Sequence, residues 1–335
     1  MRDGNVLILK SHEILSLLEG RELELLSTVA SAYEAHAVGN SSLPHSTFLR
    51  FPQDEGNRII ALPAYLGREF GVAGMKWVSS FPANIERGIE RASAVVILNS
   101  VQTGRPEAIV EGSVISAKRT AASAALAART LHGGGAVASV GLLGCGLINF
   151  EIVRFLRAVY PGIERLVLFD LSEGRAEQFR RRCLETFGAL EVEVVGTPEA
   201  MFGEAALVSL ATTAGKPHIF DLSASPAGST ILHVSLRDLS PEVVLSCDNI
   251  VDDIDHVCRA QTSLHLAEQL TGKRDFIRCT LADVLSGLAP ARRDPEGTVV
   301  FSPFGLGVLD IALGKQLRDL ALEEGRGTVI DSFLP

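Results

Sequence analysis

The 335-residue sequence predicts an α/β fold, a doubly wound parallel sheet preceded by a separate N-terminal α+β domain. Three observations carry this. From Val137 onward short apolar runs alternate with helical patterns, the order that builds a parallel sheet covered by helices on both faces. The first run, 138–143, passes into closely spaced glycines, Gly141-Leu142-Leu143-Gly144-Cys145-Gly146-Leu147-Ile148-Asn149, and then into an amphipathic helix. This loop lies late in the chain, so a substantial domain precedes it.

Taken in order, residues 22–37 carry apolar side chains at helical spacing. Short strands are predicted at 72–78, 94–98 and 107–110, where glycine, proline and asparagine punctuate the chain as in hairpins of a mixed or antiparallel sheet. Residues 116–131 are rich in alanine and predict a close-packed helix, and the glycines at 133–135 predict a hinge between domains. Beyond it come strand 138–143, helix 149–160, strand 166–170, helix 173–187 and strands 192–195 and 207–211. Further strands are expected at 230–234, 250–252 and 298–301, and a last helix at 307–323 aligns Leu309, Leu313, Leu317 and Leu320 on one stripe.

Composition excludes several classes of function. A net charge of -9 and the lack of any long run of Lys and Arg argue against nucleic acid, whose phosphates need a concentrated basic surface. Arg180-Arg181-Arg182 lies within a polar helical pattern and reads as a solvated face. The five cysteines, Cys145, Cys183, Cys247, Cys258 and Cys279, are odd in number and lack C-x-x-C spacing, as expected of reduced thiols in the cytoplasm. Val6-Leu7-Ile8-Leu9 is too short for a signal-peptide core, and no apolar stretch approaches the roughly 20 residues that span a bilayer, so no membrane partner is expected. The eight histidines form no metal signature, and His256-x-Cys258, near Asp252, Asp253 and Asp255, reads as a polar loop.

The glycine loop carries the first chemistry. Gly144 and Gly146 let the backbone turn sharply and approach a pyrophosphate, whose charge the helix opened by Leu147, Ile148 and Asn149 stabilises. Asp170 ends the next strand, where a ribose-binding carboxylate is expected; it favours NAD over NADP by repelling a 2′-phosphate, with Arg175 nearby as the opposing feature. Asn149 stands where the third glycine of the fingerprint would be, a departure expected to loosen helix-to-strand packing.

Four charged residues are further candidates. Lys76 sits in an apolar strand pattern; buried, it needs a carboxylate from protein or substrate, and the alternative is a lysine on the wet face. Arg119 opens Arg119-Thr120-Ala121-Ala122 near the expected N-terminus of a small-residue helix, where the dipole gives a cation nothing, and reads equally as an anion-binding group or a surface arginine. Arg50 alternates with aromatics in Phe48-Leu49-Arg50-Phe51 and faces either a pocket or solvent. Asp238 follows a late strand at its C-terminal end, as a catalytic group or as a helix cap.

Gly74-Met75-Lys76, Phe81-Pro82-x-Asn84, Thr103-Gly104-Arg105-Pro106, Arg119-Thr120-Ala121-Ala122 and the late glycine loop together resemble the ornithine cyclodeaminase and mu-crystallin family over essentially the whole chain. The strings at 45–50, 58–65, 76–82 and 235–239 resemble one branch of it, the dehydrogenases of 2,3-diaminopropionate biosynthesis. The resemblance implies a substrate-binding and dimerisation domain, 1–131, rejoined by a C-terminal helix within 307–335, a Rossmann NAD-binding domain, 132–306, and an active site in the cleft between them. It implies that Arg50, Lys76 and Arg119 bind substrate carboxylate, that Asp238, or Lys76, transfers protons, that Thr212 and Thr213 lie beside the cofactor, and that Gly305 and Leu306 lie near the nicotinamide. The implied reaction of this homodimer is NAD-dependent oxidation of N-(1-amino-1-carboxy-2-ethyl)-L-glutamate, a small amino-acid substrate with several carboxylates. The products would be 2-oxoglutarate and L-2,3-diaminopropionate, a precursor of siderophores or antibiotics. Ornithine cyclodeamination to proline and ammonia, and NAD(H) or ligand binding without catalysis, are the alternatives the same family offers.

Overall fold

The computed structural model describes residues 4–132 and 135–335, and of residue 55 the backbone alone. Gly133 and Gly134 of the expected hinge lie outside the described residues. Two compact units emerge, one from residues up to Arg119 together with Leu306–Pro335, the other Thr120–Gly305.

The first unit begins with β1 (Val6–Leu9), α1 (Ser11–Leu17) and α2 (Glu22–Ala37), followed by β2 (Ser41–Ser42), β3 (Thr47–Phe51), β4 (Asp54–Leu66), β5 (Val72–Ser80), β6 (Ala92–Ser100) and β7 (Pro106–Glu111). β2 and β3 pair with successive parts of β4, at 65–66 and 54–61, so Pro63, which has no N–H to donate, falls in the gap between them. Strand alternation then sorts the sheet's two faces. Leu62, Ala64, Leu66, Val72, Val96 and Leu98 are buried on one face, and Leu49, Tyr65 and Trp77 are exposed on the other. Lys76 pairs with Leu62 and Val96 on the buried face, which settles its position against the wet-face alternative.

α3 (Gly112–Leu131) starts earlier than the alanine pattern predicted, because the Glu111 carboxylate accepts from the amides of Ser113 (2.7 Å) and Val114 (3.1 Å) and so satisfies its first turn. Arg119 is consequently inside the helix and not at its N-terminus. The chain continues through the second unit with β8 (Ser139–Leu143), α4 (Leu147–Val159), β9 (Arg165–Phe169), α5 (Glu173–Phe187), β10 (Glu191–Val194), α6 (Pro198–Glu204), β11 (Leu207–Leu210), β12 (Thr230–His233), α7 (Pro241–Ser246), β13 (Asp248–Val251), α8 (Ile254–Val257), α9 (Ser263–Thr271), β14 (Ile277–Thr280), α10 (Leu281–Leu285) and β15 (Val299–Ser302). These eight strands form one parallel sheet in the order β10-β9-β8-β11-β12-β15-β13-β14, the doubly wound Rossmann arrangement. β11, β12 and β15 are buried at every residue, as strands covered on both faces must be.

α11 (Gly307–Glu323) returns to the first unit and packs on α2 and across β4, β5 and β6, and β16 (Thr328–Ile330) pairs with β1. The close approach of α11 requires Gly74, where a Cβ would stand 2.3 Å from the Ile97 carbonyl oxygen and 3.3 Å from Ile311. Among the described residues no helix is long and apolar enough to cross a membrane.

Candidate active site

In the second unit the strand order reverses between β8 and β11, the switch point at which doubly wound sheets bind ligands. The glycine loop leaves β8 there. Gly144 has φ +92°, and a Cβ on it would meet the Ala211 carbonyl oxygen at 2.5 Å, so both conformation and contact demand glycine. Gly146 is the N-cap of α4, and a Cβ there would meet no atom nearer than Arg175 at 3.8 Å. The protein thus leaves open space over the free amides of a thirteen-residue helix, which fits a dinucleotide pyrophosphate. Leu147 is exposed and Ile148 half-buried at this end.

Asn149 does the opposite of loosening the packing. Its amide nitrogen donates to the carbonyls of Leu143 (3.0 Å) and Gly144 (2.7 Å), and its oxygen accepts from Ser209 Oγ (2.7 Å), tying α4 to β8 and β11. Asn149 is fully buried with these bonds made inside the protein, so its side chain serves the loop's shape. Asp170 accepts from the amides of Cys145 (2.8 Å) and Ser172 (2.9 Å), with Arg175 Nε 3.8 Å away. It therefore holds the loop from the end of β9.

Beyond β11, Thr213 is exposed and Thr212 donates to the carboxylate of Asp238. Asp238 is fully buried and does not cap α7, which Ser240 caps. Its carboxylate also accepts from Ser235 Oγ and lies 3.0 Å from His218 Nε2 and 3.3 Å from His233 Nε2. Burial pushes its pKa up, but the bonds from His218 and Ser235 and the nearness of the His233 ring outweigh burial and hold it well below the usual carboxylate range. The Asp238 amide donates to His233 Nε2 (3.2 Å) while His233 Nδ1 meets Ser302 Oγ (3.2 Å), which leaves His233 wholly engaged. His218, 39 % exposed, is the most exposed member of this network. The turn that delivers Asp238 is strained at Leu236, φ +67°, and is held by the bond from the Ser263 amide to the Leu236 carbonyl at 2.7 Å.

Gly305 and Leu306 follow β15. The buried carboxylate of Asp252 accepts from the amides of Phe304 and Gly305, both at 2.8 Å, and from Asp253 at 2.9 Å; burial still leaves its pKa raised. Gly305, at φ +90°, therefore has its amide engaged within the protein.

In the first unit Lys76 Nζ lies 2.7 Å from Asp310 Oδ2 and donates to Ser116 Oγ at 3.3 Å, and Arg119 Nε donates to Asp310 Oδ1 at 3.1 Å. Asp310 is fully buried on α11. Two cations share one carboxylate, so the cluster retains a surplus positive charge away from water, an arrangement suited to an incoming anion. Burial and the neighbouring Arg119, against the attraction of Asp310, bring the Lys76 pKa down to about 8. Arg50 is not part of this cluster. It is exposed, stacks over the Phe48 ring at 5.6 Å, and faces Arg58 across the β3–β4 pair. Sequence reasoning missed Asp310 and His218 and took Asp252 only as part of a polar loop; the signal available for Asp310 was its place as the sole charge in the apolar run from Val308 to Leu313.

The sequence model of the ornithine cyclodeaminase/mu-crystallin family matches residues 6–325. The chain belongs to that family. Within it, the chain is 27% identical over 314 residues to the N-((2S)-2-amino-2-carboxyethyl)-L-glutamate dehydrogenase of Staphylococcus aureus, covering 92% of this chain and 93% of the relative. The crystal structure of CmnK superposes with a TM-score of 0.89 at 29% identity, over 99% of this chain and 100% of that one. An archaeal alanine dehydrogenase dimer with bound NAD superposes with a TM-score of 0.86 at 26% identity, over 98% of this chain and 99% of that one.

Proposed function

We propose that this ornithine cyclodeaminase/mu-crystallin family member is a cytoplasmic NAD-dependent dehydrogenase acting on the C–N bond of an amino acid with several carboxylates. The substrate is N-(1-amino-1-carboxy-2-ethyl)-L-glutamate, and the products supply a siderophore or antibiotic pathway. The surplus charge of the Lys76, Arg119 and Asp310 cluster carries the reading, because it calls for a substrate carboxylate. The identity with the Staphylococcus aureus dehydrogenase supports the particular substrate.

Bound NAD supplies the acceptor for a hydride from the glutamate Cα. Oxidation leaves a C=N bond; water adds to its carbon and the C–N bond breaks, giving 2-oxoglutarate and L-2,3-diaminopropionate. In these steps the attacking water loses a proton and the departing nitrogen gains one. Lys76 and Arg119 hold the α-carboxylate. Asp238, ionised and buried, fixes His218 with Nε2 toward the carboxylate, so the proton moves at His218 Nδ1; Lys76, near pH 8, is the second group able to exchange one. Leu147, Ile148 and the glycines of the loop receive the pyrophosphate, Asp170 the ribose, and Thr212, Thr213, Gly305 and Leu306 flank the nicotinamide. A second copy of the chain covers the exposed apolar sheet face that carries Leu49, Tyr65 and Trp77.

The test is an absorbance assay for NADH with the glutamate adduct, and identification of both products by mass. NADH accumulating with stoichiometric 2-oxoglutarate is expected. Proline formed from ornithine without net NADH would replace this reading with cyclodeamination, and tight NADH binding without turnover of either compound would make the protein a ligand-binding member.

A further inference from the structure

A second cationic group lies in the first unit. Arg50 faces Arg58 across β3 and β4, Arg58 faces Ser80 across β4 and β5, and Ser80 faces Ala92, the neighbour of Arg91. None of the three arginines has an acidic partner among the described residues, and the buried Nε of Arg58 has no hydrogen-bond partner. Arg58 and Arg91 are both pushed below the ordinary arginine value, by burial first, then by Arg50 on Arg58 and by Arg58 on Arg91. Three guanidinium groups that repel one another, one with an unsatisfied buried donor, cost the folded protein free energy unless an anion joins them. Their planar forks match a carboxylate.

The strands place this group in relation to Lys76. Arg58 is four residues from Leu62 on β4, and Leu62 faces Lys76, so the even spacing puts Arg58 and Lys76 on one sheet face. Four residues of strand set their backbone positions roughly 13 Å apart along the sheet. We infer that Arg50, Arg58 and Arg91 bind a distal substrate carboxylate, while Lys76 and Arg119 bind the α-carboxylate, so that the site selects compounds with two separated carboxylates. The inference rests on the proposed reaction for the identity of the substrate, but its recognition of a dicarboxylate can be measured without turnover.

The NADH-loaded enzyme is titrated calorimetrically with 2-oxoglutarate and with 2-oxobutyrate, which lacks the distal carboxylate. The wild type should prefer 2-oxoglutarate by at least about tenfold, the order expected for a charge-assisted contact. Arg58→Gln and Arg91→Gln should each weaken 2-oxoglutarate by a similar factor and leave 2-oxobutyrate unchanged, and Arg58→Lys should recover part of the preference. Arg58→Gln should also melt no lower than wild type, since it removes one of three like charges. A wild type without preference, a preference that survives both glutamine variants, or a lower Tm with equal loss of both ligands overturns the inference. A wild type that prefers 2-oxoglutarate yet fails to turn over the glutamate adduct keeps the arginine site and rejects the proposed reaction.

Discussion

Lys76 and Asp238 show how burial sets opposite charge behaviour in two residues. Lys76 falls from the ordinary 10.5 to about 8, so the unfolded chain binds its proton more tightly between those values. The stability change from this group therefore rises with pH across that window and is lost again as pH falls from about 10.5 to 8. Carboxylate binding runs the other way: kcat/KM should decline above about pH 8 in wild type and stay flat there in Lys76→Arg, as read from a pH-rate profile. Asp238 is depressed, so its contribution is present above the ordinary carboxylate value of 3.8 and is lost as pH falls further; Asp238→Asn should lack that acid loss in a Tm-against-pH series. Asp238→Asn should bind NAD but lose turnover by about 100-fold, and His218→Gln should match it. Because they are proposed to act as one unit, the double variant should cost no more than either single one; additive losses in kcat would separate them.

Among the elements, the β8–α4–β9 segment was readable because its signals are local: an apolar run, glycines at fixed spacing and an acid at the next strand's end. Asn149 was legible as a departure, but its effect was misread. Its partner Ser209 comes from β11, and no window around the loop contains that residue. Asn149→Ala should strand Ser209 Oγ and two carbonyls, and lower stability by about 3 kcal/mol in urea unfolding. The start of α3 was misplaced for a related reason: Gly112 and Val114 are poor helix formers, and the cap that compensates them is the side chain of Glu111. The pairing of Lys76 and Arg119 with Asp310 joins residues 191 positions apart in the case of Arg119, and sequence spacing holds no record of such a contact.

At the scale of the whole molecule, the two sheets divide the labour that the sequence assigned to them. The central strands of the parallel sheet are buried on both faces, whereas the antiparallel part of the first unit leaves Leu49, Tyr65 and Trp77 on an open face. Trp77→Glu should lower the molecular mass measured by light scattering to that of the monomer while the isolated chain still binds NADH; an unchanged mass would place the proposed interface elsewhere. The first unit is also discontinuous in sequence, and α11 supplies its buried counter-charge. During synthesis at about 5–20 residues per second, the ribosome reaches Asp310 on the order of ten to forty seconds after Arg119. By the end of that interval the continuous 120–305 unit has received all its strands, while the first unit has waited throughout for the helix that covers its sheet. A chain stopped after Gly305 should accordingly give a protease-resistant nucleotide-binding fragment and a digested N-terminal part. The order of assembly is thus written into the path of the chain: the nucleotide unit can close first, and the buried charges of Lys76 and Arg119 meet Asp310 last.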